Sequence, residues 1–189
     1  MNETILLVED DENDVFFFKR AAKLAGLLNP VQVASDGRQA IQYLGGIGEY
    51  SDRAQFPLPC LVLLDLKLPH VMGLDVLQWV RAQSELNAVI VLVFTSSKLR
   101  PDIHRAYSLG ANSYLVKPSS PADLPEMIRQ IKHYWLQMNV AAPAPEYAGL
   151  PARVANISVF YETRPEMDRG ERSRSRLEPE EVSHRRLTV

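Results

Sequence analysis

Two kinds of stretch alternate along the chain. Short apolar runs, ILLV within TILLVE (4–9), VQVA (31–34), LVLL (61–64), VIVLVF (89–94) and SYLV within SYLVKP (113–118), are separated by longer segments whose apolar residues recur every three or four positions. An apolar run without alternation suits a parallel strand buried on both faces. The intervening segments read as amphipathic helices. The first runs from Val15 to about Gly26, with Phe18, Ala22 and Ala25 on one side and Asp11 or Asn13 as its cap. A second starts at Asp36, carries Ala40, Ile41 and Leu44, and is stopped by Gly45 and Gly46; a third carries Leu74, Leu77, Val80 and Arg81 to about Glu85. Pro101 opens a short fourth helix to Leu109, proline being tolerated at a first helical position. Leu124, Ile128, Ile131 and Trp135 define a last helix to about Met138, whose sheet-facing side they form. The segment from Gly45 to Pro59, with three glycines and two prolines, reads as an extended loop. Five strand–helix repeats predict an α/β fold, a five-stranded doubly wound parallel sheet with helices on both faces.

The pattern stops near residue 140. Residues 140–189 hold no lysine, eight arginines and eight acids, and only ISVF (157–160) resembles a strand. Such a stretch cannot cover a core, so a domain over 1–139 and a disordered tail over 140–189, with no output domain, are expected. Composition narrows the partners. A net charge of -2 gives no global field for nucleic acid or an anionic membrane, and neither is expected as a partner. The single cysteine, Cys60, rules out a disulfide framework. The opening residues, MNETILLVEDD, form neither a signal peptide nor a membrane span, so a cytoplasmic location is expected.

Four of the five strands end in reactive or polar groups: Glu9 and Asp10, Asp65, Thr95, and Lys117. In open α/β sheets ligands bind outside the carboxyl ends of the strands, which makes these residues site candidates by position. Carboxylates meeting at one sheet edge repel one another, and a hard divalent cation relieves that repulsion; Mg²⁺ is implied. A lysine and a hydroxyl converging there supply donors for an anion. Together they are the equipment of phosphoryl transfer, with Asp65 as nucleophile.

At this point residues 4–139 resemble the receiver domain of bacterial two-component response regulators, on the motifs LLVEDD, LLDLKLP, VFTSS and YLVKP. The resemblance implies a flavodoxin-like fold and a signalling module, not an enzyme, that takes a phosphoryl group from a sensor histidine kinase. It assigns Glu9 and Asp10 as the metal pair, Asp65 as phosphoacceptor, and the backbone carbonyl of Lys67 as a further metal ligand. Lys117 and Thr95 would contact phosphoryl oxygens, a cis-linked proline would follow Lys117, and Thr95 and Tyr114 would form the switch. The long 45–59 loop further resembles single-domain receivers that partner bacterial phytochrome-type kinases. Two departures stand out: the family's usual Asp-Gly is Met72-Gly73 here, and Lys67 stands where shorter polar residues are common.

Other classes share parts of this pattern. A Walker B strand would need G-x-x-x-x-G-K-[ST], which is absent, and an aspartyl-nucleophile phosphatase would need an acid where Lys67 stands. A degenerate receiver used only for docking would lack a reactive position, yet all are present. Met127 and Tyr134, to one side of the last helix's core stripe, with Tyr107 on the fourth helix, would form an apolar strip. That strip, beside Tyr114, is expected to support a homodimer through the fourth helix, fifth strand and fifth helix. The competing expectation is a wide core stripe, with Met127 and Tyr134 packed under the neighbouring loop.

Overall fold

The computed structural model describes residues 3–140. The tail expected over 140–189 lies outside the described residues from position 141 onward.

Five strands, β1 (Ile5–Val8), β2 (Val31–Ala34), β3 (Leu61–Leu64), β4 (Ile90–Thr95) and β5 (Ser113–Val116), alternate with α1 (Glu12–Leu24), α2 (Gly37–Gly45), α3 (Gly73–Ala82), α4 (Arg100–Ser108) and α5 (Leu124–Ile131). They make one sheet in the order β2-β1-β3-β4-β5, with every pairing parallel. This is the flavodoxin-like architecture that the sequence predicts. β3 is the middle strand, and β4 is interior between β3 and β5.

The unbroken apolar runs follow from burial on both faces. All four residues of β1 and of β3 are buried, as are all six of β4. Successive side chains alternate between faces, so Ile5, Leu7, Leu61, Leu63, Ile90, Leu92 and Phe94 share one side. There they pack with Phe18, Ala21, Ala22 and Ala25 of α1 and its C-terminal flank, and with Leu124, Ile128 and Ile131 of α5. Leu6, Val8, Val62, Leu64, Val91 and Val93 are buried on the opposite side. α2 neighbours α3 there, and α3 neighbours α4.

Local chemistry sets the helix ends. Asp11 is the N-cap of α1, its carboxylate accepting from the Asn13 N–H at 2.8 Å. Asp36 caps α2 in the same way through the Gln39 N–H. Gly46 ends α2 at φ 65°, a left-handed conformation that costs glycine little. Met72 occupies the N-cap of α3 without a side-chain hydrogen bond.

Three expectations need correction. The 45–59 segment is not simply extended: Gly48–Ser51 makes a 3-10 turn, and Tyr43, Tyr50 and Phe56 pack with ring centroids 5.0–6.1 Å apart. Arg53 closes this small core by donating to the carbonyls of Tyr43, Leu44 and Phe56. The last helix changes pitch, since Lys132–Met138 is π-helical, yet Trp135 stays half-buried and packs against the core as its spacing predicts. Met127 packs against the core, whereas Tyr134 and Tyr107 are 53% and 51% exposed. The strip beside α5 is therefore narrower than expected.

Candidate functional site

Parallel register brings the strand ends together. Val8 lies opposite both Ala34 and Leu64, so the next residues of β1 and β3, Glu9 and Asp65, leave the sheet side by side. β4 runs two residues further than β3, to Thr95, which pairs with Val116 and places Lys117 next in line. The Lys117 N–H donates to the Thr95 carbonyl at 2.8 Å, which fixes the lysine's backbone.

The lysine side chain gathers the acids. Its Nζ lies 2.5 Å from Glu9 Oε2, 2.8 Å from Asp65 Oδ2 and 2.7 Å from Asp14 Oδ2. The Phe94 ring is 5.7 Å away on its apolar side. Glu9 and Asp65 are buried, and Asp14 is part-exposed on the first turn of α1. Burial alone would lower the Lys117 pKa, but hydrogen bonds to Asp14, Asp65 and Glu9 more than offset it and the net shift is upward. One ammonium cannot neutralise three carboxylates. Burial pushes Glu9, despite its Lys117 contact, up to about 7.

The two oxygens of Asp65 differ. Oδ1 accepts from the backbone N–H groups of Leu66, at 2.5 Å, and Lys67, at 3.3 Å. Oδ2 meets Lys117. The turn that follows is tight: His70 is left-handed at φ 63°, and the Gly73 N–H donates to the Leu66 carbonyl. A Cβ on Gly73 would collide with the Asp65 carbonyl oxygen and Leu66 Cα.

Of the residues singled out in the sequence, Glu9, Asp65 and Lys117 meet directly. Asp10 is exposed at the end of β1, and Lys67 is exposed two residues past Asp65. Thr95 is 1% exposed, and its hydroxyl accepts from the Ser97 N–H at 3.4 Å. The Tyr114 hydroxyl donates to the Ser97 carbonyl at 3.1 Å, so Thr95 and Tyr114 converge on one residue. Ser97 in turn donates to Asp102 of α4 at 2.5 Å. Asp14 was not anticipated, because an acid in a first helical turn reads as a complement to the helix dipole. No described peptide bond is cis, so the Lys117–Pro118 link is trans. That is the lower-energy isomer of an X–Pro bond by about 0.5–1 kcal/mol.

A family model for the response regulator receiver domain matches residues 5–129. The chain belongs to the response regulator receiver family. Proteins of this kind act in signalling rather than as enzymes. This receiver is 40% identical over 141 residues to a Methanothrix harundinacea protein named "Probable methanogenesis regulatory protein FilR2", covering 75% of this chain and 88% of that one. It is 34% identical over 142 residues to the response regulator Rcp1 of Synechocystis, covering 75% and 94%. The Mn²⁺-bound crystal structure of Rcp1 superposes with a TM-score of 0.68 at 32% identity, over 75% of this chain and 99% of Rcp1. The phosphorylated cyanobacterial phytochrome response regulator RcpA superposes at 0.70 with 29% identity, over 76% of this receiver and all of RcpA.

Receivers bind a divalent cation, and the residues here can be tested against that. Among the described residues no group of three or more His, Cys, Asp or Glu is gathered at metal-holding spacing. Lys117 stands between the acids instead. The donor set nevertheless fits: Glu9 and Asp65 meet at one ammonium, Asp10 adds a third acid at the same strand end, and the surplus negative charge with hard oxygen donors suits such an ion. No helix among the described residues is long and apolar enough to cross a membrane.

Proposed function

We propose that this receiver accepts a phosphoryl group on Asp65 from the phosphohistidine of a sensor histidine kinase and signals through protein–protein contacts in the cytoplasm. The observation that carries this reading is the asymmetry of Asp65: backbone N–H groups anchor Oδ1, while Oδ2 faces only the Lys117 ammonium. Oδ2 is then the attacking oxygen. The phosphorus–nitrogen bond breaks as the phosphorus–oxygen bond forms, and the imidazole leaves with the electron pair. Mg²⁺ would be held by Glu9, Asp10, Asp65 and the Lys67 backbone carbonyl, and would supply charge neutralisation between the carboxylates and the incoming group. Lys117 and the Thr95 hydroxyl contact phosphoryl oxygens. For Thr95 this means giving up Ser97, and because Tyr114 also holds Ser97, the change reaches α4 through Asp102. Residues 1–139 form the receiver domain. The phosphorylated state of RcpA and the metal-bound state of Rcp1 support the reading by similarity. A homodimer through α4, β5 and α5, using Tyr107 and Tyr134, is the proposed assembly.

The test is intact-protein mass spectrometry after incubation with acetyl phosphate and Mg²⁺, and in parallel with an autophosphorylated sensor kinase. One phosphoryl adduct is expected in wild type, with none in Asp65→Asn or with chelator. An adduct that survives in the Asn variant overturns the assignment.

A further inference from the structure

The third carboxylate on Lys117 belongs to none of the roles above. Asp14 projects from the first turn of α1, and its Oδ2 lies 2.7 Å from Nζ. An ammonium has three N–H donors, and here all three have a carboxylate. Two of those partners must change when the site works. Asp65 Oδ2 ceases to be a carboxylate oxygen once it is bonded to phosphorus, and Glu9 is one of the acids that would hold the cation. Asp14 has neither obligation. Its side chain is 42% exposed and needs no rearrangement to keep its bond through both events.

The other surroundings of the lysine offer no substitute. Phe17, Phe94, Pro118, Pro121 and Leu124 wall a cavity of about 50 Å³ that Asp14 and Lys117 complete. That side is apolar apart from Asp14. Once Asp65 and Glu9 have changed partners, an ammonium without the Asp14 carboxylate would face hydrocarbon and an opening to water on this side, with no acceptor on α1 to hold it.

We propose that Asp14 is a positioning residue for phosphoryl transfer: it tethers Lys117 Nζ at the mouth of this cavity, so that the N–H released by Asp65 is aimed at the incoming phosphoryl oxygen. The proposal rests on the reading of Asp65 as phosphoacceptor. Asp14 itself touches no reacting atom.

The experiment compares wild type, Asp14→Ala and Asp14→Asn by two readouts. The first is the rate of phosphorylation by acetyl phosphate at saturating Mg²⁺, in which Asp65 Oδ2 gains the phosphoryl group and acetate leaves. The second is the ¹H–¹⁵N NMR signal of the Lys117 ammonium with Mg²⁺ before and after phosphorylation, resolved when the group is held and broadened when it is not, with the larger difference between variants after phosphorylation, when Asp65 no longer holds it. Displacing a catalytic group by part of an ångström costs rate, so Asp14→Ala should be slower by about tenfold and should broaden the signal. Asp14→Asn keeps an acceptor oxygen and should restore most of both. A half-exposed ion pair contributes little to stability, so the thermal midpoint of the Ala variant should stay close to that of wild type. Wild-type rate with an unchanged signal in Asp14→Ala overturns the proposal, as does an Asn variant as slow as the Ala variant. If wild type takes no phosphoryl group at all, the reading of Asp65 fails and this role fails with it. The NMR signal would still show whether Asp14 holds the ammonium.

Discussion

Replacing Glu9 by glutamine separates the cost of burying this acid from the benefit of its contact with Lys117. Glu9 is 3% exposed, and burial moves its pKa from 4.5 to about 7, net of the lowering exerted by Lys117. Between those values the folded protein binds a proton that the unfolded chain has released. Stability must therefore fall as pH rises through that window, and this group's contribution is level on either side of it. Each pKa unit corresponds to ~1.4 kcal/mol, so a charged, metal-free Glu9 costs about 3 kcal/mol at mildly alkaline pH. Glutamine imitates the protonated acid and keeps an oxygen for Lys117. In chelator, Glu9→Gln should match wild type below the window and exceed it by about 2–3 kcal/mol above it, read from urea midpoints at a common slope. A divalent cation should narrow the gap above the window, because it binds the folded wild type with Glu9 ionised. A gap that does not vary with pH, or a variant less stable than wild type above the window, would refute the reasoning, because the Lys117 contact would then outweigh burial.

Four further outcomes are expected. Lys67→Asn, two residues past Asp65, should change the lifetime of the acyl phosphate by about tenfold through the placement of one water, or ~1.4 kcal/mol in barrier; equal decay of phosphorylated mass in the two proteins would exclude this. Met72→Asp should supply the missing cap of α3 and raise stability by about 1 kcal/mol in urea unfolding. Gly73→Ala should destabilise by about 1–3 kcal/mol, because the added Cβ meets the backbone of Asp65 and Leu66, and it should slow phosphorylation as well. Sedimentation of wild type against a Tyr107→Glu, Tyr134→Glu double variant, with and without acetyl phosphate, should show a dimer only in wild type; monomers throughout would contradict the assembly.

The strands were legible because burial on both faces leaves a signature that needs no partner to be seen: LVLL at 61–64 and IVLVF at 90–94 are interior strands in the sheet as in the pattern. Strand-end chemistry was legible for the same reason at Glu9 and Asp65, which each follow such a run directly, and Lys117 follows the half-buried edge strand β5. Contacts that join distant segments were not. Arg53 and the ring cluster of Tyr43, Tyr50 and Phe56 order a stretch whose glycines and prolines suggest only loop. Asp14 meets Lys117 across 103 positions, and nothing local to either residue announces the pair.

The shared register of β1 and β3 confines what mutation can tune. Glu9 and Asp65 leave adjacent parallel strands at equivalent positions, so the spacing of their backbones is set by the ladder, at roughly 4.8 Å. No change in a loop or helix can widen it, and a slip of one residue would invert the faces of a whole strand and abolish the core. Adjustment of the acidic floor is left to side-chain length, and the extra methylene of Glu9 over an aspartate is such an adjustment. Helix and loop positions other than Asp14, Lys67 and Gly73 can diverge above this fixed floor. Recognition and chemistry in this chain are therefore separately mutable, and a receiver could be redirected to a new kinase without retuning its phosphoacceptor.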